Sequence, residues 1–471
     1  MIKKLNLQLF SLLYLAIPLV IFFGGYLKVV LALPLTALFI VGIILCCRSS
    51  FENSISYSPK IVFAIVIIAI WVIIAGVGGF IWQNRWDHMF RNALFSDLVN
   101  NLWPVTKDGV GLCYYFGFWM PAALIGKMFG ITAGYCFQVI WAILGIFLAY
   151  LLVCQYFKKI KISYLLVFII FSGLDIIPYL ISKNLDILGT CKSIFFGSHM
   201  ELSIYLFNSS SNTTLLFWLY NQCIPFWLGF SLILLQKNAK NIVLIYSMMF
   251  LFCPFPCVGL APFIAYKLIQ EFITNKKLKN IISFQNIIAL PIAFFVLLFF
   301  KTNNSANQIS FLPFSTSNIL KFALFLIIEF LVYIVLVYRY NRKDPILIVL
   351  FISTIVFSWI KMGSSYDFAW RTCIPLSFYT MLLVIKALNF DNLSKRIKVA
   401  LIIVLCIGAI TPATEIIRTT YAEYRIITNK NDENPRSDNL VSIFDKDNNA
   451  CYDNFTGSID SLFYKYIAKG K

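Results

Sequence analysis

Apolar residues in this chain come in runs close to 20 long with few charges, and the runs are continuous rather than alternating. A continuous run of that length predicts a membrane-spanning helix, whereas a barrel strand alternates over about ten residues. The spans read as 8–25, 29–47, 61–82, 131–154, 163–183, 214–235, 241–253, 258–274, 281–300, 319–338, 345–360, 371–388 and 399–413. The expectation is an all-α polytopic membrane protein with about 13 transmembrane helices. The pair 241–253 and 258–274 is short and broken by Cys253-Pro254-Phe255-Pro256. Two prolines so close cannot continue a helix, so the chain is expected to turn there, surrounded by protein or a cavity.

Polar residues sort the loops. Lys3-Lys4, Arg48 with Lys60, Lys158-Lys159-Lys161, Lys237 with Lys240, Lys276-Lys277-Lys279, Arg339-Arg342-Lys343 and Lys395-Arg396-Lys398 each fall in a short connection. Placing them all in the cytoplasm gives a consistent alternation, with the N-terminus inside and the C-terminal tail outside. Residues 111–130 are apolar enough to span, yet counting them would move Lys158-Lys159-Lys161 outside. They are expected in the outer interface instead, with Lys127 reaching the headgroups. Residues 1–413 thus read as a transmembrane domain with an external loop of interfacial helices at 83–130 and a second at 184–213. Residues 414–471 read as an external segment, whose Tyr421, Tyr424, Phe444, Phe455 and Phe463 predict a small docked unit.

Composition agrees with this pattern. The chain is 60% hydrophobic and 13% charged, with a mean hydropathy of +0.81, which excludes an ordinary soluble domain. The net charge of +18 lies in short loops, where it encodes topology and meets anionic headgroups; membrane lipids, not nucleic acid, are the expected partners. The 12 cysteines are scattered without metal-ligand spacing and read as small apolar fillers. The first apolar run lacks a small-residue cleavage site and reads as a retained anchor, making this a multi-pass protein of the cell membrane.

Candidate chemistry concentrates in Trp86-Asp87-His88-Met89-Phe90-Arg91-Asn92-Ala93-Leu94-Phe95-Ser96-Asp97-Leu98. On a helix Asp87 and Arg91 are four apart and face each other. That is either one salt bridge on an interfacial helix, or a carboxylate that takes a proton from a hydroxyl, with Arg91 or His88 beside a phosphate. His199, the only other histidine, lies close to Glu201. Lys361-Met362-Gly363-Ser364-Ser365-Tyr366-Asp367-Phe368-Ala369-Trp370-Arg371 repeats the four-residue spacing with Asp367 and Arg371, at a helix start that suits a phosphate or a capping acid. Asp175, in Phe171-Ser172-Gly173-Leu174-Asp175, is an acid inside a span and needs a cavity or a partner. Glu329 is also mid-span and reads as a structural partner for a polar group on another helix. Phosphate-cradling loops, a Gly-x-Ser-x-Gly elbow and His-Glu-x-x-His are absent, so energy for a synthesis must arrive in an activated substrate.

The layout of an apolar span, the acid in Trp86-Asp87-His88 and the aromatic stretch Tyr114-Tyr115-Phe116-Gly117 through Met120-Pro121 resembles the C-type glycosyltransferases. These polytopic enzymes use a polyprenyl-phosphate-linked sugar and carry an essential acid in an external loop. More closely the chain resembles an uncharacterised family of bacterial membrane proteins. The shared motifs are Asp97-Leu98 with Trp103-Pro104, Tyr114 to Leu124, Phe171 to Asp175, Gly363 to Asp367 with Arg371 and Ile374-Pro375, and Ser461 to Tyr466. The acidic loop here follows a third span rather than the first, and its acid is a single Asp followed by His.

The resemblance implies a sugar transferred to a hydroxyl of a cell-surface glycan, teichoic-acid-like polymer or lipid outside the membrane. It implies Asp87, Asp97 and His88 as catalytic residues, with Asp87 the base. Arg91 and Arg371 would hold the donor phosphate, and Asp367, Asp175, Tyr114, Tyr115 and His199 would line the substrate. No cofactor is read from the residues, and a divalent metal ion stays open. So do two rivals, a flippase or transporter of lipid-linked glycans and a surface polysaccharide polymerase.

Overall fold

The computed structural model describes residues 6–48, 58–81, 87–195, 199–204, 206–305, 308–338, 341, 343–363, 365–389, 393–428, 440–447, 449 and 451–470. Lys3-Lys4, Trp86, Arg339, Arg342 and positions 429–439 of the tail lie outside these. Helices dominate. Eight of those described are long and apolar enough to cross a membrane: Leu7–Tyr26, Val29–Arg48, Ile131–Tyr156, Asn212–Leu234, Pro254–Thr274, Thr316–Tyr338, Asp367–Leu388 and Lys395–Ile427. Lys60–Ile74, Phe284–Phe300 and Pro345–Phe357 are apolar but shorter.

The expected spans differ from these helices where the backbone breaks. The run 163–183 is helical only over Ile162–Ile170 and Ile176–Ser182, with residues 171–175 outside any helix. The run 241–253 keeps only Ile242–Met248, and a new helix starts at Pro254, where proline needs no amide donor. The helix after Lys395 continues past the expected end at 413, to Ile427. Residues 111–130 contain the ten-residue helix Met120–Phe129, too short to cross a bilayer at 1.5 Å per residue.

Leu7–Tyr26 is the central helix, with Leu12, Leu15, Leu19, Phe22 and Phe23 fully buried. Between helices in lipid, close van der Waals packing takes over from the hydrophobic effect, and small residues permit it. At Gly145 an added Cβ would lie 2.5 Å from the Tyr14 hydroxyl, and at Gly259 it would lie 2.0 Å from the Thr372 carbonyl.

Polar connections gather in groups. Lys161 donates to Asn389 at 2.5 Å and Lys386 to Asn341 at 2.8 Å, so three basic loops share one place. Elsewhere five short strands assemble two small sheets: β1 (Thr106–Lys107), β2 (Val110–Leu112), β3 (Ile309–Phe311), β4 (Ile360–Met362) and β5 (Thr456–Ser458). The order β1-β2-β5 is antiparallel throughout, and β3 pairs with β4. Asp108-Gly109 joins β1 to β2 with φ of 49° and 79°, the backbone a tight hairpin turn requires. Through β5, the C-terminal segment is tied to the loop that carries Asp87.

Candidate functional site

The helix Asp87–Asn100 begins on an acid, which suits the positive end of its dipole. His88, Phe90, Arg91, Ala93, Leu94, Phe95, Asp97, Leu98 and Val99 are all buried, so protein covers several of its faces. Lys127 donates to the carbonyls of Val99, at 3.0 Å, and Asn101, satisfying the helix end.

Arg91 pairs with Asp87 at 3.4 Å while only 5% of the arginine side chain is exposed. Its guanidinium lies 5.3 Å from the centre of the Tyr220 ring, a cation–π contact. Tyr220 is placed by a kink: Leu219 departs from helical geometry at φ −142°, ψ 28°. The Phe217 carbonyl next to the kink accepts from His88 Nε2 at 2.8 Å. A carbonyl can only accept, so Nε2 carries the proton. Burial and the neighbouring Arg91 lower the His88 pKa to about 3, so the ring is neutral. His88 thus supports the ring on which Arg91 rests, and its Nε2 is not free to meet a phosphate.

A second acid–arginine pair comes from the helix Asp367–Thr372, where Asp367 and Arg371 approach to 2.7 Å. Arg371 Nη1 also donates to the Tyr115 hydroxyl at 2.5 Å. Its guanidinium lies 5.8 Å from the ring centres of both Tyr115 and Phe255. Phe255 opens the helix that starts at Pro254, and Gly259 lets that helix approach Thr372 closely.

The two pairs meet. Asp87 is within electrostatic reach of both Asp367 and Arg371, and Tyr114 of both arginines. Although 44% of the Asp87 side chain is open, protein is packed closely around its carboxyl. That burial raises its pKa above the usual carboxylate value; Arg91 opposes the rise, Asp367 adds to it, and Arg371 opposes it again. Tyr114 stacks on Tyr115 at 3.8 Å and on Phe455 of the tail at 4.4 Å.

Both guanidiniums keep a buried donor with no partner, Nη1 of Arg91 and Nε of Arg371. Leaving a buried charged donor unmet costs on the order of 1–3 kcal/mol, so the arrangement suits an anion that completes both. A divalent cation does not fit. Each carboxylate already faces an arginine, and the described residues contain no group of three His, Cys, Asp or Glu side chains placed to hold a metal.

The remaining expected site residues lie elsewhere. Both Asp97 oxygens accept from Ser442 Oγ, at 2.9 and 3.1 Å, and one also accepts from the Ile443 amide at 2.8 Å. Asp97 therefore holds the tail. Asp175 accepts from Ser172 and Thr411, each at 3.1 Å, and shares a hydrogen bond with Glu329. Gly173 makes room there, since a Cβ would lie 2.1 Å from Glu329 Oε2. Glu329 thus finds its polar group on another element.

His199 contacts Arg418 at 2.8 Å and Glu415 at 3.7 Å, and burial and Arg418 lower its pKa. Glu201 beside it accepts from the Ser211 amide, and burial, Asp175 and Glu415 push its pKa up to about 8. Sequence reading missed Tyr220, Phe255, Cys451 and Phe455 as walls of the arginine cluster. Tyr220-Asn221-Gln222, a polar interruption of an apolar run, was the available signal for the first.

The chain matches no family model, no curated protein and no solved structure.

Proposed function

We propose that this membrane protein is a glycosyltransferase that moves a sugar from a polyprenyl-phosphate-linked donor to a hydroxyl of a cell-surface glycan, teichoic-acid-like polymer or lipid. One observation carries the proposal: two buried arginines, each with an unmet donor, both lie within electrostatic reach of a half-open carboxylate of raised pKa. In the reaction Asp87 accepts the proton of the acceptor hydroxyl as its oxygen bonds to the anomeric carbon. The carbon–oxygen bond to the phosphate breaks, and the phosphate leaves with the electron pair. Arg91 and Arg371 meet the charge that grows on it. Asp367 orients Arg371, while Tyr115, which accepts from Arg371, and Tyr114, in ring contact with Tyr115 and Phe455, wall the place where the sugar sits.

The proposal includes about 13 membrane crossings with interrupted helices, an outward-facing site and an external tail. It is supported by the grouping of basic loops apart from the strands and tail. A structure with a short-chain polyprenyl phosphate bound tests it. The phosphate is expected between Arg91 and Arg371, with Asp87 left open to the acceptor hydroxyl; a phosphate bound away from both arginines overturns the reading.

A further inference from the structure

We infer that the described residues of the C-terminal segment, 440–447, 449 and 451–469, form a fixed wall of the arginine cluster on the side the acceptor approaches, and that Asp97 is the positioning residue that seats it. The acceptor side rests on the function proposed above; the wall itself rests on contacts.

The segment is clamped at three places. Its start is held by Asp97, through Ser442 Oγ and the Ile443 amide. Its middle is held by the loop after Phe300. Asn303 Nδ2 donates to the Asn454 carbonyl at 3.0 Å, Asn304 Nδ2 to Thr456 Oγ1 at 3.2 Å, and Ser305 Oγ to Asn454 Oδ1 at 2.7 Å. There β5 also joins β2. Its end is held against the central helix, where Phe463 is fully buried and the Lys469 amide donates to the Tyr26 carbonyl at 2.8 Å.

Between the first two clamps the described residues reach the cluster. Asn449 is buried and ties the stretch to itself, donating to the Ile443 carbonyl and accepting from the Cys451 amide. The Cys451 thiol comes within electrostatic reach of Asp87 and Asp367, and Phe455 closes the stack with Tyr114 and Tyr115. One helix therefore carries the proposed base at its first residue and the anchor of the opposing wall at its eleventh. Buried loop backbone needs its polar groups met, and Asp97 supplies acceptors where the segment has no strand partner.

The wall makes Cys451 a reporter. In protein with Cys47, Cys136, Cys191 and Cys406 replaced by Ser, alkylation of Cys451 by N-ethylmaleimide is followed by mass spectrometry in detergent. Short-chain polyprenyl phosphate is expected to slow this alkylation. Asp97→Asn is expected to speed the unliganded reaction roughly tenfold, about what one charge-assisted hydrogen bond is worth, and to abolish protection. Ser442→Ala, which keeps the carboxylate, is expected to speed it less and serves if Asp97→Asn does not fold. In transfer assays Asp97→Asn should raise acceptor KM while kcat and donor KM hold, a split that general loss of structure would not produce.

If wild-type protein binds polyprenyl phosphate with Cys451 unprotected, the wall falls and the anion site stands. If it binds none, the functional reading falls, and the alkylation rate still decides the wall. An unchanged rate in both variants overturns the inference.

Discussion

Asp87 and Asp97 stand on one helix, both in surroundings that raise a carboxyl pKa, yet they have opposite fates. Asp97 spends its oxygens on Ser442, the Ile443 amide and Asn101, and these bonds partly offset the cost of its burial. Asp87 is offset mainly by Arg91, at the long distance of 3.4 Å, and Arg91 keeps another donor unmet. One carboxylate is committed to structure. The other retains lone pairs, an open side and a pKa moved toward the range where a base works. An acid in a loop becomes a candidate through what its oxygens are not doing.

The largest effect that can break this contrast is on rate. Asp87→Asn is expected to lower sugar transfer by roughly 10²–10⁴-fold, the usual worth of general-base assistance. Its stability should hold or rise at neutral pH. A carboxyl whose folded pKa is raised stabilises the fold below its unfolded pKa and loses that contribution as pH climbs through the folded value. Asp97→Asn should instead loosen the seated tail, read as faster alkylation of Cys451, while kcat stays within a few-fold. An inactive Asp97→Asn beside an active Asp87→Asn would exchange the two roles.

A smaller effect lies in pH dependence. Transfer is expected to fall as pH drops through the raised pKa of Asp87, because the base is then protonated. Asp367 helps raise that value, so Asp367→Asn should move the acid limb of kcat/KM to lower pH. A shift upward would contradict the closeness of the two carboxylates.

His88 gives a stability counterpart. Its folded pKa is lowered from 6.5 to about 3, so the unfolded chain takes up a proton that the folded chain refuses. Stability should therefore decline between pH 6.5 and 3, and His88→Asn should flatten that decline in melting temperatures. The smallest expected effect is none: EDTA should leave transfer unchanged, since arginines stand where a cation would.

The sequence made the two acid–arginine pairs legible because each closes within one helical turn. Their meeting was not, since Tyr115 and Arg371 are 256 positions apart and no local rule joins them. The partners of Asp97 were out of view for the same reason, because they lie 345 and 346 positions downstream. His88 looked chemical, and the kink at Leu219 that occupies it carries no proline to announce it. Helical membrane architecture was plain from the runs, but the span count depended on assuming whole helices. Residues 171–175 interrupt one of them, and the run 241–253 is helical only over Ile242–Met248.

The most direct measurement is the affinity of detergent-solubilised protein for short-chain polyprenyl phosphate, by calorimetry, in wild type, Arg91→Gln and Arg371→Gln. Each substitution removes a charged donor, and the account expects each to weaken binding roughly 10–100-fold, with the double variant showing no measurable binding. Equal affinity in all four proteins would contradict the claim that these two arginines form one anion site.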